Sequence, residues 1–256
     1  MTYEELVKSN WGFISTETQE RIRKTRVLLA GCGLGSNIAI LAARTGFTKF
    51  VLADGDKVEL GNLNRQAFGL QHLGRNKAEV TAELLQEVNP QAEAEVFPYF
   101  IATEEQIDSL VAKADLVINM IDPGPLLYQL NKTACSQDKP VLFPLNIGYG
   151  GVVLVFGSDS ATLEQILDQA KNEKPEAFFL RLVEKLESFL PGYLQEHLAI
   201  RDRVLLEGSS LPQLGVASHI TAALTVTAMI KLTMGIPLRT APYPLTLDCW
   251  GLSLHE

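Results

Sequence analysis

A glycine run and the acids, amides and cations that follow it carry the chemistry open to this sequence. Gly31, Gly33 and Gly35 come directly after the short apolar run Val27–Ala30, and Asp54 closes a second apolar run, Phe50–Ala53. Glycines at this spacing let a backbone approach phosphates, at the start of a helix whose free N–H groups and positive dipole end favour an anion. An acid about 20 residues beyond such a turn stands where a ribose hydroxyl would be bound. Asp54 suits NAD or ATP equally, because it would contact only ribose. The next segment separates the two. Asn62, Arg65 and Lys77 follow closely, and a nicotinamide site does not need them. A triphosphate site does: arginine offers a fork of donors, lysine a point charge, and together they offset charge developing during in-line attack at phosphorus. A later apolar strand pattern, 115–121, ends on another acid, Asp122.

These side chains need a frame, and the hydrophobic pattern supplies one. Ile38, Leu41 and Ala42 continue the glycine turn at helical spacing, with Ser36 where the third glycine of G-x-G-x-x-G would stand. Asp56–Glu59 and Asn62–Gln66 fall in a loop beyond the second strand, at the sheet edge where open α/β folds bind ligands. Gly74–Lys77 opens a helix through Val80, Leu84, Leu85 and Val88 that stops at Asn89-Pro90. A third strand is expected over 94–100, then a helix over 103–113 capped by Thr103 with Glu104 and Glu105 in its first turn. A return helix over 123–137, a fifth strand over 141–147 and a sixth over 152–156 complete the alternation. Asp122 then has a simple alternative role, as a helix cap before Pro123. The pattern predicts an α/β, Rossmann-like fold with a mainly parallel central sheet and a C-terminal helical and strand extension.

Before this core, residues 3–25 read as polar and helical, with Ser15 or Thr16 as cap and Trp11 and Phe13 ahead of it, placed to pack on the domain or on a second subunit. After it, residues 161–207 carry Leu-, Glu- and Lys-rich helices broken at Pro175 and Pro191-Gly192. Residues 217–234 form an apolar helix that should be buried, closed by Gly235, and 245–250 alternate as a last strand.

Composition narrows the function classes. A net charge of −8 argues against a large electrostatic grip on nucleic acid. No stretch reaches the roughly 18 uninterrupted apolar residues of a membrane span, and the N-terminus lacks a basic and then apolar signal, so a cytoplasmic protein is expected. Cys32, Cys135 and Cys249 stand far apart without a C-x-x-C pair, so neither structural zinc nor a disulfide framework is expected. His72, His197, His219 and His255 show no ligand spacing.

From about Gln19 to Gly235 the sequence resembles the ThiF/MoeB/HesA proteins and the adenylation domains of ubiquitin-activating enzymes. The likeness rests on Val27–Ser36, on Asp54–Glu59 with Asn62–Gln66, on Gly74–Lys77, on Asn89-Pro90 and on the strand ending at Asp122. It implies ATP-dependent adenylation of a carboxylate with release of pyrophosphate. The acceptor would be the C-terminus of a ubiquitin-like or sulfur-carrier protein, a peptide or a small metabolite. By position, Gly31, Gly33 and Gly35 form the phosphate turn and Asp54 binds ribose. Asn62, Arg65 and Lys77 hold phosphates, Gln66 adds a polar contact, and Asp122 holds Mg²⁺. The likeness also implies a homodimer and one adenylation unit over 1–256: an N-terminal segment (1–24), a nucleotide-binding core (25–157), a substrate or partner element (158–215) and a final helix and strand (216–256). Three departures stand out. The turn is one residue shorter than the family's G-x-G-G-x-G-S. The N-terminal Arg-Tyr-x-Arg-Gln is replaced by Lys8–Gly12, with Lys8 as the substitute cation. No cysteine lies between Cys135 and Cys249, so no thioester or persulfide step is expected on this chain. The rival readings are an NAD(P)-dependent oxidoreductase and an inactive nucleotide-binding partner of the same family.

Overall fold

The computed structural model describes residues 2–167, 174–196 and 212–251. Strands β1 (Arg26–Ala30) and β2 (Lys49–Ala53) are buried over their last four residues, and β4 (Leu116–Asn119) over all of its length. Such runs fit only a sheet covered on both faces. With β3 (Glu93–Phe97), β5 (Val141–Ile147), β6 (Gly150–Phe156) and β7 (Leu245–Asp248) they make a seven-stranded sheet in the order β3-β2-β1-β4-β5-β6-β7. The first five are parallel, and β6 runs antiparallel to both of its neighbours.

The chain leaves β1 toward β2 on one side and returns through β4 on the other. That reversal of strand order opens a crevice at the carboxyl ends of β1 and β4. On one face α3 (Gly33–Thr45), α4 (Lys77–Val88) and α10 (Gly215–Thr233) bury Ile38, Ala42, Leu85, Val226 and Met229. On the other, α5 (Glu104–Ala112), α6 (Pro125–Ser136) and α8 (Pro175–Lys185) bury Leu110, Leu130, Phe178 and Leu182. Helix α10 is long and apolar enough to cross a membrane by composition, but it packs on β5, β6, β7 and α3 as a core helix.

The expected elements are present with adjusted ends. The N-terminal helix is two helices, α1 (Tyr3–Val7) and α2 (Thr16–Lys24), separated because Gly12 takes φ +91° and Ser15 recaps the chain on Thr18 N–H. Strand β3 stops at Phe97 rather than at residue 100. Strand β4 stops at Asn119, which leaves Asp122 in the loop beyond it. Of the helical element expected over 161–207, α7 (Leu163–Ile166), α8 and α9 (Tyr193–Glu196) are seen; 168–173 and 197–211 lie outside the described residues.

Candidate nucleotide-binding site

The glycine turn is shaped first by its own neighbours. Gly31 takes φ +103°, and a Cβ there would lie 2.6 Å from the Met120 carbonyl oxygen, so the β1–α3 turn passes β4 only as glycine. A Cβ on Gly35 would meet the Met120 methyl at 2.9 Å, and one on Gly33 would meet Gln66 Nε2 at 3.1 Å. Ser36 has its own work: its hydroxyl donates to Gly33 O at 2.7 Å and accepts the Ala67 N–H at 3.1 Å. No side chain caps α3. Among the described residues the N–H groups of Gly33, Leu34 and Gly35 have no acceptor, which leaves the helix open to an anion.

Asp54 closes β2 against this turn. Its Oδ2 accepts the Cys32 N–H at 2.6 Å and its Oδ1 the Asp56 N–H at 2.8 Å. Burial raises its pKa, with those two hydrogen bonds opposing the shift. Gly55 keeps the following backbone close to Phe100, whose ring would lie 2.5 Å from a Cβ.

Lys77 begins α4, where its N–H donates to Asp56 O at 2.9 Å and its Nζ lies 2.9 Å from Asp56 Oδ2. Asn76 makes this possible. Its Oδ1 caps the N–H groups of Ala78 and Glu79, and its Nδ2 donates to Asp54 O at 2.8 Å, stitching α4 to the acid loop. Sequence reading placed Asn76 only at a helix start; its second role follows from a contact across the fold.

Asp122 lies in the loop between β4 and α6, exposed at its surface although its carboxyl is partly desolvated by the surrounding chain. Burial raises its pKa, the Asp56 charge adds to that, and Lys77 opposes it. Asp56, Lys77 and Asp122 therefore share one electrostatic field. Asp122 does not cap a helix: the N-cap of α6 is Gly124, and no side chain bonds there.

The loop carrying Asn62, Arg65 and Gln66 is more self-contained. Asn62 Oδ1 accepts the Glu59 N–H at 3.0 Å, and its carbonyl accepts the Gln66 N–H at 2.9 Å, so Asn62 builds the turn. Gln66 Oε1 is buried without a partner beside Gly33. Arg65 is held by Gly61, Asn64 and Gln213, and burial lowers its pKa. Asn37 of α3 fixes the loop from below, its Nδ2 donating to Arg65 O at 2.6 Å and to Ser218 Oγ of α10 at 2.8 Å.

The structure thus links the glycine turn to Asp54 and, through Asp56 and Asn76, to Lys77 by hydrogen bonds; Asp122 joins them through its charge interactions with Asp56 and Lys77, while Arg65 belongs to a neighbouring cluster. Among the described residues no group of three or more His, Cys, Asp or Glu side chains could hold a metal ion. Asp122 and Asp56 would suit a cation that brings phosphate oxygens with it. A cavity of about 560 Å³ lined by Arg23, Lys49 and Glu93 lies where β2 and β3 begin, at the opposite edge of the sheet.

The arrangement has relatives. The chain is 30% identical over 144 residues to the sulfur carrier protein ThiS adenylyltransferase of Escherichia coli, covering 56% of this chain and 57% of that one. It is 32% identical over 133 residues to ubiquitin-like modifier-activating enzyme 5 of Caenorhabditis elegans, covering 48% and 32%. The matches therefore span about half of this chain and still less of the longer relative. E. coli MccB, crystallised with AMPCPP and MccA, shares the fold with a TM-score of 0.67 at 17% identity, over 93% of this chain and 64% of that one. A sequence model of the ThiF family matches residues 6–256, and with the glycine turn, Asp54, Lys77 and Asp122 gathered at one sheet edge, the chain belongs to the ThiF family.

Proposed function

We propose that the protein adenylates a carboxylate with ATP. The acceptor's carboxylate oxygen attacks the α-phosphorus, the bond to the bridging oxygen of the β-phosphate breaks, and pyrophosphate leaves. The observation that carries this reading is the buried Lys77, paired with Asp56 and sharing a field with Asp122, beside an uncapped helix and a ribose-height acid. A nicotinamide site has no use for such a cation, and family membership weighs against an oxidoreductase.

The residues divide the work. Asp54, already oriented by two backbone N–H groups, accepts from the ribose hydroxyls. The N-terminus of α3, Lys77 and Arg65 bind phosphate oxygens and offset the charge that grows on the leaving pyrophosphate. Asn62 shapes the turn that presents Arg65, and the unpartnered Gln66 Oε1 is available for a polar contact from the nucleotide. Asp122 and Asp56 would hold Mg²⁺, which supplies charge neutralisation at the phosphates when bound.

Names of relatives point to a sulfur-carrier or ubiquitin-like protein, or a peptide, as acceptor, with a small metabolite as the remaining class. The adenylate passes on without a cysteine ester: Cys32 is buried, and burial pushes the Cys135 thiol up to about 11, away from a reactive thiolate. The exposed Trp11 and Phe13 (86% and 92%) support a homodimer built from 1–256 units, and free thiols with ATP dependence suit the cytoplasm.

Pyrophosphate exchange into ATP, measured with small proteins ending in Gly-Gly and with peptides, tests the reading. Acceptor-dependent exchange that is lost in Arg65→Ala and Asp122→Ala supports it. ATP binding with no exchange for any acceptor would instead mark an inactive partner protein.

A further inference from the structure

Arg65 is held by neutral oxygens alone. Its Nη1 donates to Gly61 O at 2.7 Å and to Asn64 Oδ1 at 2.8 Å, and its Nε to Gln213 Oε1 at 3.2 Å. Among the described residues it makes no ion pair, and its Nη2 has no partner. Lys77, by contrast, is matched by Asp56. A guanidinium oriented without being neutralised keeps its full charge and two unused donors for an incoming anion.

Gly61 and Asn64 belong to the same turn as Arg65, whereas Gln213 comes from 148 residues away, just before α10. Its Oε1 also accepts Asn146 Nδ2, at 3.3 Å, from the end of β5, and its backbone carbonyl accepts Asn64 Nδ2 at 3.3 Å. The approach has no slack: a Cβ on Gly215 would lie 2.5 Å from Asn64 O. One carboxamide oxygen therefore joins the phosphate-side cation to β5, the strand next to the one that leads to Asp122.

We infer that Gln213 is a positioning residue for the adenylation reaction, orienting Arg65 so that Nη2 meets a polyphosphate while its neutral amide leaves the charge of Arg65 intact. The identity of the anion rests on the adenylation reading; the geometry does not. Glutamate at the same position would keep the hydrogen bonds and cancel the charge. Alanine would keep the charge and release the orientation.

The test compares Gln213→Glu and Gln213→Ala with wild type by calorimetric titration of AMPCPP and of adenosine, and by exchange kinetics. Gln213 is exposed, so both variants should fold. Gln213→Glu should weaken AMPCPP binding at least about tenfold and leave adenosine binding unchanged. Gln213→Ala should lower kcat for exchange about tenfold with little change in KM for ATP. Asn146→Ala should cost less in the Gln213→Ala background than in wild type. Unchanged AMPCPP affinity in Gln213→Glu overturns the inference. Wild type that binds AMPCPP without exchanging pyrophosphate removes the adenylation reading, and the two titrations still decide the role of Gln213. Wild type that binds neither ligand overturns both.

Discussion

Lys77 and Asp56 meet at 2.9 Å with unequal burial: the lysine side chain is 9% exposed and the aspartate side chain 51%. The pair is therefore asymmetric in what its loss should cost. Asp56→Asn leaves a nearly buried ammonium without its partner and should destabilise the protein by about 1–2 kcal/mol, the cost being reduced by the solvent around the carboxylate. Lys77→Met leaves a carboxylate that water can solvate and should change stability by less than about 0.5 kcal/mol. Urea denaturation of the two variants checks the order; equal losses would contradict it.

Asp122 should make the protein less stable as pH rises. Burial and then the Asp56 charge raise its pKa above the ordinary 3.8, with Lys77 opposing. The folded state therefore holds a proton that the unfolded state has released. That contribution is present below the ordinary carboxylate pKa and declines as pH climbs through the window up to the raised value. Asp122→Asn should flatten this decline and raise Tm at pH 7, while lowering pyrophosphate exchange about a hundredfold. Thermal melts from pH 3.5 upward read the first effect, and a Tm at pH 7 no higher than wild type would refute it.

Ser36→Gly restores the third glycine of the dinucleotide pattern and should nevertheless weaken the fold. The hydroxyl satisfies the Ala67 N–H and donates to Gly33 O. Removing it and adding a helical glycine should cost about 1–2 kcal/mol. A variant as stable as wild type in denaturant would show that neither bond matters.

Gly31→Ala should be far more damaging than Gly33→Ala. The first places a Cβ 2.6 Å from a fixed carbonyl at φ +103°; the second meets the end of the movable Gln66 side chain at 3.1 Å. A loss above about 2 kcal/mol is expected for Gly31→Ala. For Gly33→Ala, any loss should be relieved by Gln66→Ala in the same chain. Comparable midpoints for the two single variants would remove this distinction.

The sequence revealed what depends on neighbours along the chain. Strands β1, β2 and β5 were readable because burial on both faces leaves continuous apolar runs, and α5 because Thr103 and its two acids mark a capped start. Strand β3 was harder to bound: as the edge strand it alternates exposed Glu93 and Glu95 with half-buried neighbours, and the apolar pattern runs on to Phe100 although Pro98, which has no N–H for the ladder, marks the end at Phe97. The site divided in the same way. Asp54 and Lys77 stand at ends of regular elements, whose register fixes them, and Asp122 follows three residues beyond β4, close enough for the apolar run to point to it. Gln213 had no local mark at all, since a polar residue in a loop looks the same whether or not it meets an arginine across the molecule.

The amide of Asn37 bridges the Arg65 backbone and Ser218, residues separated by most of the polypeptide. A nascent chain on the ribosome acquires the glycine turn and Asp54 early, but the support beneath Arg65 arrives only when α10 has been synthesised and docked. A partly made molecule therefore has the Asp54 side of the site before the Arg65 side is braced, and the site is completed only near the end of translation.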